Sequence, residues 1–129
     1  MAYNILVVDD SETVRAVIRK ALKLGGVDVG ALYQAGNGEE GLAVMRKEWV
    51  DLVLADINMP VMGGVKMVEE MRSDESLREL PVIVISTEGS ATRLAVLKEK
   101  GVSAFLRKPF TPEDIKRAVD SVLEGKSHV

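Results

Sequence analysis

Cysteine is missing from all 129 residues, so disulfides, thiolate nucleophiles and Cys-ligated zinc or iron–sulfur centres are excluded. Histidine is nearly missing too. The single His128, one residue from the end, rules out a His-based metal cluster and a Ser-His-Asp triad. No apolar run approaches the roughly 20 residues of a membrane span. Met1 to Asp9 is too short for a signal-peptide apolar region, and Asp9-Asp10 interrupts it. No membrane insertion is expected, and the expected compartment is the cytoplasm. A basic excess is lacking as well: 17 Lys and Arg against 20 Asp and Glu leave a formal net charge of -3. Direct nucleic-acid binding needs a basic patch that neutralises phosphates, and the balance here argues against it. Carboxylates and hydroxyls must carry whatever chemistry the chain does.

What is present suits one globular domain. An apolar share of 47% and a charged share of 29% are ordinary for a soluble domain. A chain of this length buries about two-thirds of its unfolded surface, enough for a core without metal or disulfide staples. Residues 1–125 are expected to form the domain, with 126–129 as a flexible tail that includes His128.

Short apolar runs alternate with amphipathic stretches. Asn4 to Val8, Asp51 to Ala55 and Pro81 to Ile85 are rich in β-branched residues without strict polar alternation, the pattern of strands buried on both faces of a parallel sheet. Ala31 to Gln34 and Ser103 to Leu106 are weaker candidates, a less buried strand and an edge strand. Between them, Val14, Val17, Ile18, Ala21 and Leu22 fall on one helical face, with Ser11 as the cap. Ile115, Ala118, Val119, Val122 and Leu123 repeat the spacing after Thr111-Pro112-Glu113-Asp114, a hydroxyl cap followed by proline and acids. Glu39 to Arg46, Gly64 to Arg72 and Ser90 to Lys100 complete the helices. Five strand–helix alternations imply an α/β fold, a doubly wound five-stranded parallel sheet with helices on both faces.

Such a sheet collects functional residues outside the carboxyl ends of its strands. After the first strand come Asp9 and Asp10; after the third, Asp56; after the fourth, Ser86 and Thr87; after the fifth, Lys108. Each alone is an ordinary cap or loop residue, but all share one rim. Two carboxylates about 4 Å apart repel by roughly 4 kcal/mol at an effective dielectric near 20, so three in one crevice must protonate, splay or bind a cation. An all-oxygen donor set favours Mg²⁺, which keeps waters that phosphate oxygens can replace. The combination suits phosphoryl transfer to Asp56 as nucleophile, because Asp carboxylates form aspartyl-phosphates.

Val7-Val8-Asp9-Asp10, Asp56 to Gly64, Ser86-Thr87-Glu88 and Lys108-Pro109-Phe110 together resemble the signature of bacterial response-regulator receiver domains of the CheY-like, single-domain type. The match runs over essentially the whole chain, with motif order and spacing intact. The resemblance implies a flavodoxin-like strand order of 2-1-3-4-5. It implies that Asp56 takes a phosphoryl group from a sensor histidine kinase, a histidine-phosphotransfer protein or a small phosphodonor. Asp10, Asp56 and the backbone carbonyl of Asn58 would hold Mg²⁺ directly, with Asp9 acting through water. Lys108 would pair with the phosphoryl group, Ser86 would swing in to bond it, and Phe105 would turn inward as the aromatic switch. Lys108-Pro109 would be a cis peptide bond. The readout would be the face of the fourth helix, fifth strand and fifth helix, Ser90 to Leu123, meeting a downstream protein target in chemotaxis or similar two-component signalling. Beyond its own phosphorylation and dephosphorylation, no enzyme activity is implied.

Departures from the pattern carry their own expectations. Thr87 stands where Ala or Gly is usual, narrowing access. Phe105 lacks the hydroxyl of the commoner Tyr. Gly63 replaces a frequent polar residue, loosening its loop. Asn58 and Glu88 match chemotaxis-type members at positions that tune dephosphorylation. Trp49 precedes the third strand, and Ile57 follows Asp56, so no indole stands where it would report on metal. Met67 and Met71 are core residues, whereas Met59 and Met62 are candidates for a partner surface. Lys98, Lys100, Arg107 and Lys116 read as a solvated helix face more readily than as a basic patch.

Rival chemistries fit poorly. A Mg²⁺-dependent phosphohydrolase usually has a proton-donating acid two residues after its nucleophile, where this chain has Asn58. A dinucleotide-binding module needs a Gly-rich first turn, where this chain has Asp9-Asp10-Ser11-Glu12. A relay that passes its phosphoryl group to a second histidine protein stays open beside a terminal switch.

Overall fold

Residues 2–87 and 91–127 are described by a computed structural model. Along the chain run β1 (Tyr3–Val8), α1 (Glu12–Leu24), β2 (Val29–Ala35), α2 (Gly38–Lys47), β3 (Leu52–Ala55), α3 (Gly64–Ser73), β4 (Val82–Ser86), α4 (Ala91–Glu99), β5 (Ala104–Arg107) and α5 (Pro112–Ser127). All strand pairings are parallel, in the order β2-β1-β3-β4-β5. That is the doubly wound arrangement expected from the alternation of elements.

The period of two along each strand divides the core between the faces of the sheet. Leu6, Val8, Val53, Ala55, Val82 and Val84 meet Leu42, Met45, Met67, Val68, Met71 and Leu97 beneath α2, α3 and α4. Ile5, Val7, Leu52, Leu54, Ile83 and Ile85 point the other way, onto Ile18, Ala21 and Leu22 of α1 and Ile115, Val119 and Leu123 of α5. The central strands are almost wholly apolar because both their faces are covered.

Ser11 caps α1, its Oγ accepting the Val14 N–H at 3.2 Å. The apolar stripe of this helix is narrower than its spacing suggests, for Val17 stays 54% exposed. β2 extends beyond the expected four residues because its backbone continues the ladder with β1 from Val29 to Ala35. Both β2 and β5 are edge strands. α5 runs to Ser127, so the helix includes Lys126 and Ser127 of the expected tail, while His128 lies outside the described residues. No described helix is long and apolar enough to cross a membrane.

The α3–α4 side carries one device without a sequence motif. Arg72, near the end of α3, donates from Nη1 to the carbonyls of Leu77 (3.4 Å), Arg78 (2.8 Å) and Leu80 (3.1 Å), and from Nη2 to that of Gly101 (2.8 Å). Gly101 has φ +101°, and a Cβ there would stand 2.5 Å from Arg72 Nε. Only glycine satisfies both the backbone angle and the close approach.

Candidate functional site

Strand order decides which residues meet. β1 and β3 are neighbours in register, with Val8 opposite Ala55, so the residues that follow them, Asp9 and Asp56, emerge side by side. Ser86 ends β4 opposite Arg107 of β5, and the Lys108 N–H donates to the Ser86 carbonyl at 2.9 Å. The Lys108–Pro109 bond that follows is cis.

Asp9, Asp10 and Asp56 each place a carboxylate oxygen within 4.8 Å of the others. Their exposure is graded: Asp9 is 2% exposed, Asp56 half-buried and Asp10 open to solvent. Lys108 Nζ lies 3.5 Å from Asp9 Oδ2 and 3.9 Å from Asp56 Oδ2. Asp9 Oδ1 accepts the Ser11 N–H at 2.9 Å, and Asp56 Oδ1 accepts the Ile57 N–H at 2.7 Å. Burial lifts the Asp56 carboxyl above the usual carboxylate range. Lys108 and the Ile57 N–H oppose that rise, Asp9 adds to it, and the Asn58 N–H opposes it. Three clustered acids facing one ammonium leave negative charge that a hard divalent cation with oxygen ligands would satisfy.

The loop from Asp56 to Gly63 is folded tightly against the strand end. The Gly64 N–H donates to the Ile57 carbonyl at 2.8 Å, and the Gly38 N–H donates to the Met62 carbonyl at 2.8 Å. A Cβ on Gly64 would collide with the Asp56 carbonyl oxygen, and one on Gly63 would come 2.7 Å from that of Ile57. The expectation that Gly63 loosens this loop is therefore corrected: its missing side chain lets the loop close onto β3. Between Pro60 and Met62 the chain makes a γ-turn, the Met62 N–H donating to the Pro60 carbonyl at 2.7 Å about Val61 at φ +66°. This left-handed turn is strained for a β-branched residue, and the Val61 side chain is 78% exposed, so packing does not compensate it. Replacing Val61 with glycine, which has no Cβ to strain at positive φ, is expected to stabilise the fold by up to about 1 kcal/mol. Urea denaturation would show it, and an unchanged or lower midpoint would contradict it.

Ser86 is buried at 5% exposure, with Thr87 exposed beyond it. Phe105 is half-buried, opposite Val84 in the sheet and packed on the α2–α3–α4 side. Asn58 is exposed, and Glu88 lies outside the described residues. Met67 and Met71 are core residues as expected, but Met59 and Met62 also pack against that core and are half-buried. Lys100 pairs with Glu69 at 3.1 Å and Lys116 with Asp120 at 2.7 Å. With Lys98 and Arg107 exposed, the four cations read as solvated and locally paired groups. Trp49, 77% exposed, donates its indole N–H to Asp51 Oδ1 at 3.0 Å, before β3 and thus at the opposite end of that strand from Asp56.

One residue near the acids carries no motif in the sequence. Arg15, one turn after the Ser11 cap, donates from Nη1 to the backbone carbonyl of Asp9 and from Nε to Gln34 Oε1 at 3.1 Å. Its position on α1, next to the apolar stripe, is the only signal the sequence offers.

The family model described as the response regulator receiver domain matches residues 5–120. A chemotaxis protein CheY homolog of Campylobacter jejuni subsp. jejuni is 36% identical over 122 residues, 93% of this chain and 92% of the relative. Chemotaxis protein CheY-3 of Vibrio cholerae serotype O1 is 33% identical over 123 residues, 94% of this chain and 92% of the relative. The crystallised chemotaxis protein CheY4 of Vibrio cholerae superposes with a TM-score of 0.84 at 30% identity, covering 95% of this chain and 99% of that one.

Proposed function

Because the chain belongs to the response regulator receiver domain family, we propose that Asp56 is its phosphoacceptor in a Mg²⁺-dependent phosphosignalling switch. The observation that carries the reading is the clustering of the Asp56 carboxylate with those of Asp9 and Asp10, with Lys108 Nζ 3.9 Å from Asp56 and 3.5 Å from Asp9. An Asp56 carboxylate oxygen attacks the phosphorus of a phosphohistidine on a sensor kinase or histidine-phosphotransfer protein. The P–N bond breaks, and its electron pair stays on the departing imidazole. The product is a mixed anhydride on Asp56, which water later hydrolyses to phosphate and the free carboxylate.

Asp10, Asp56 and the Asn58 carbonyl would hold Mg²⁺, with Asp9 acting through water. Bound there, the ion supplies charge that offsets the equatorial oxygens in the transition state. Lys108 neutralises acids before transfer and is placed to turn to a phosphoryl oxygen afterwards. Ser86, buried at the end of β4, would swing in to bond the same anion. A phosphoryl group adds about -1.5 to -2 charge and three acceptors, enough to draw Ser86 inward. Phe105 then repacks into the space released, and the surface of α4, β5 and α5 changes shape. A protein target that reads that surface completes the signal, in chemotaxis or a similar two-component circuit.

Incubation with acetyl phosphate, with and without Mg²⁺, followed by trapping and mass spectrometry, tests the reading. The adduct is expected on Asp56 and is expected to vanish with EDTA. An adduct elsewhere, or one indifferent to the chelator, would sink it.

A further inference from the structure

Resting on the metal reading above, we propose that Arg15 is a positioning residue for the cation site, holding the peptide that aims Asp10. Of the three acids, Asp10 is the one open to solvent and has the most conformational freedom to lose on meeting a cation. Its backbone begins with the Asp9–Asp10 peptide, whose carbonyl receives the Arg15 Nη1–H. Asp9 itself is fixed on two other sides, its N–H donating to the Ala35 carbonyl at 3.0 Å and its Oδ1 accepting the Ser11 N–H at 2.9 Å. The guanidinium supplies a further anchor, which sets the tilt of the peptide plane and so the direction in which the Asp10 Cα–Cβ bond leaves it. Arg15 is held in turn by Gln34 Oε1 at 3.1 Å, so the fork spans the ends of β1 and β2.

Two effects compete. The Arg15 cation repels a divalent ion, while its geometry pre-aims a ligand. The repulsion is softened because the half-buried Arg15 lies near the surface, where the effective dielectric is about 20. Partners that orient a ligand typically account for 10–100-fold in metal affinity. Positioning therefore wins, and the planar fork of arginine does what a lysine ammonium cannot, because its nitrogens reach two acceptors at fixed angles.

Titration of ¹⁵N-labelled wild type, Arg15→Ala, Arg15→Lys and Gln34→Ala with MgCl₂, followed by amide shifts of residues 9–11 and 56–58, decides the matter. Thermal melts run alongside. Arg15→Ala is expected to weaken Mg²⁺ binding about 10-fold, Arg15→Lys nearly as much, and Gln34→Ala less, with melting midpoints near wild type. Tighter binding in Arg15→Ala with wild-type affinity in Arg15→Lys would show that only charge matters, and would overturn the proposal. Unchanged affinity with a lowered midpoint would make Arg15 a purely structural residue and overturn it equally. A wild-type chain that shows no Mg²⁺-dependent shifts would remove the metal reading itself, and the role of Arg15 with it.

Discussion

Replacing Lys108 with alanine is expected to slow phosphorylation of Asp56 by acetyl phosphate about 10²–10³-fold, the usual cost of deleting one preorganised contact to a developing anion. Mg²⁺ binding in the same variant is expected to be at least as tight as in wild type. The two outcomes come from one geometry. Lys108 Nζ stands 3.5 Å from Asp9 and 3.9 Å from Asp56, so before transfer it shares the oxygens a metal needs. Removing it deletes a competitor for those oxygens. During transfer, however, negative charge appears on phosphoryl oxygens at the mouth of the site, and Lys108, with only 23% of its side chain exposed, is the positive side chain already in place. Measuring the rate against Mg²⁺ concentration separates the two effects. A maximal rate fully restored by saturating Mg²⁺ would mean that Lys108 only helps recruit the metal.

Arg72→Met is expected to destabilise the fold by about 3 kcal/mol, since hydrogen bonds from a charged donor are each worth roughly 1.5–3 kcal/mol and neighbouring ones are not additive. At this chain length that lowers the melting midpoint by roughly 10 °C. Methionine keeps much of the aliphatic stem, so the loss reports on the guanidinium. Burial pushes the Arg72 pKa down from its ordinary value, and Glu79 partly offsets it, yet the group stays a cation throughout the accessible range. The carbonyls of Leu77, Leu80 and Gly101 would lose a donor in partly buried surroundings. A midpoint within a few degrees of wild type would show that water replaces the guanidinium at little cost. Arg72→Lys should recover only part of the loss, because one ammonium cannot face Arg78 and Gly101 together with the geometry of a fork.

The sequence made the site more legible than its supports. Asp9, Asp10, Asp56, Ser86 and Lys108 could be found because each stands at or just past the end of an apolar run, and a parallel sheet brings such positions to one rim. The central strands β1, β3 and β4 were equally plain, since burial on both faces leaves polar residues only at their ends. β2 was underestimated because the exposed edge residues Gly30 and Gln34 bracket its apolar stretch. Gly63 was misread because a missing side chain looks like freedom until the Ile57 carbonyl is seen against it. Arg15 and Arg72 gave no warning, for their partners are mostly backbone carbonyls, and every residue has one. Val17 followed the helical period and still faces water, since a spacing rule does not say how wide the covering surface is.

The layer formed by α1 and α5 sets an order of events during synthesis. Ile18, Ala21 and Leu22 find their cover on Ile115, Val119 and Leu123, which leave the ribosome long after them. Until then, a nascent chain that has already assembled β1, β3 and β4 carries one bare oily side. That interval, more than the finished molecule, is when the protein is most exposed to sticking to its neighbours, and a truncation before α5 would make the interval permanent.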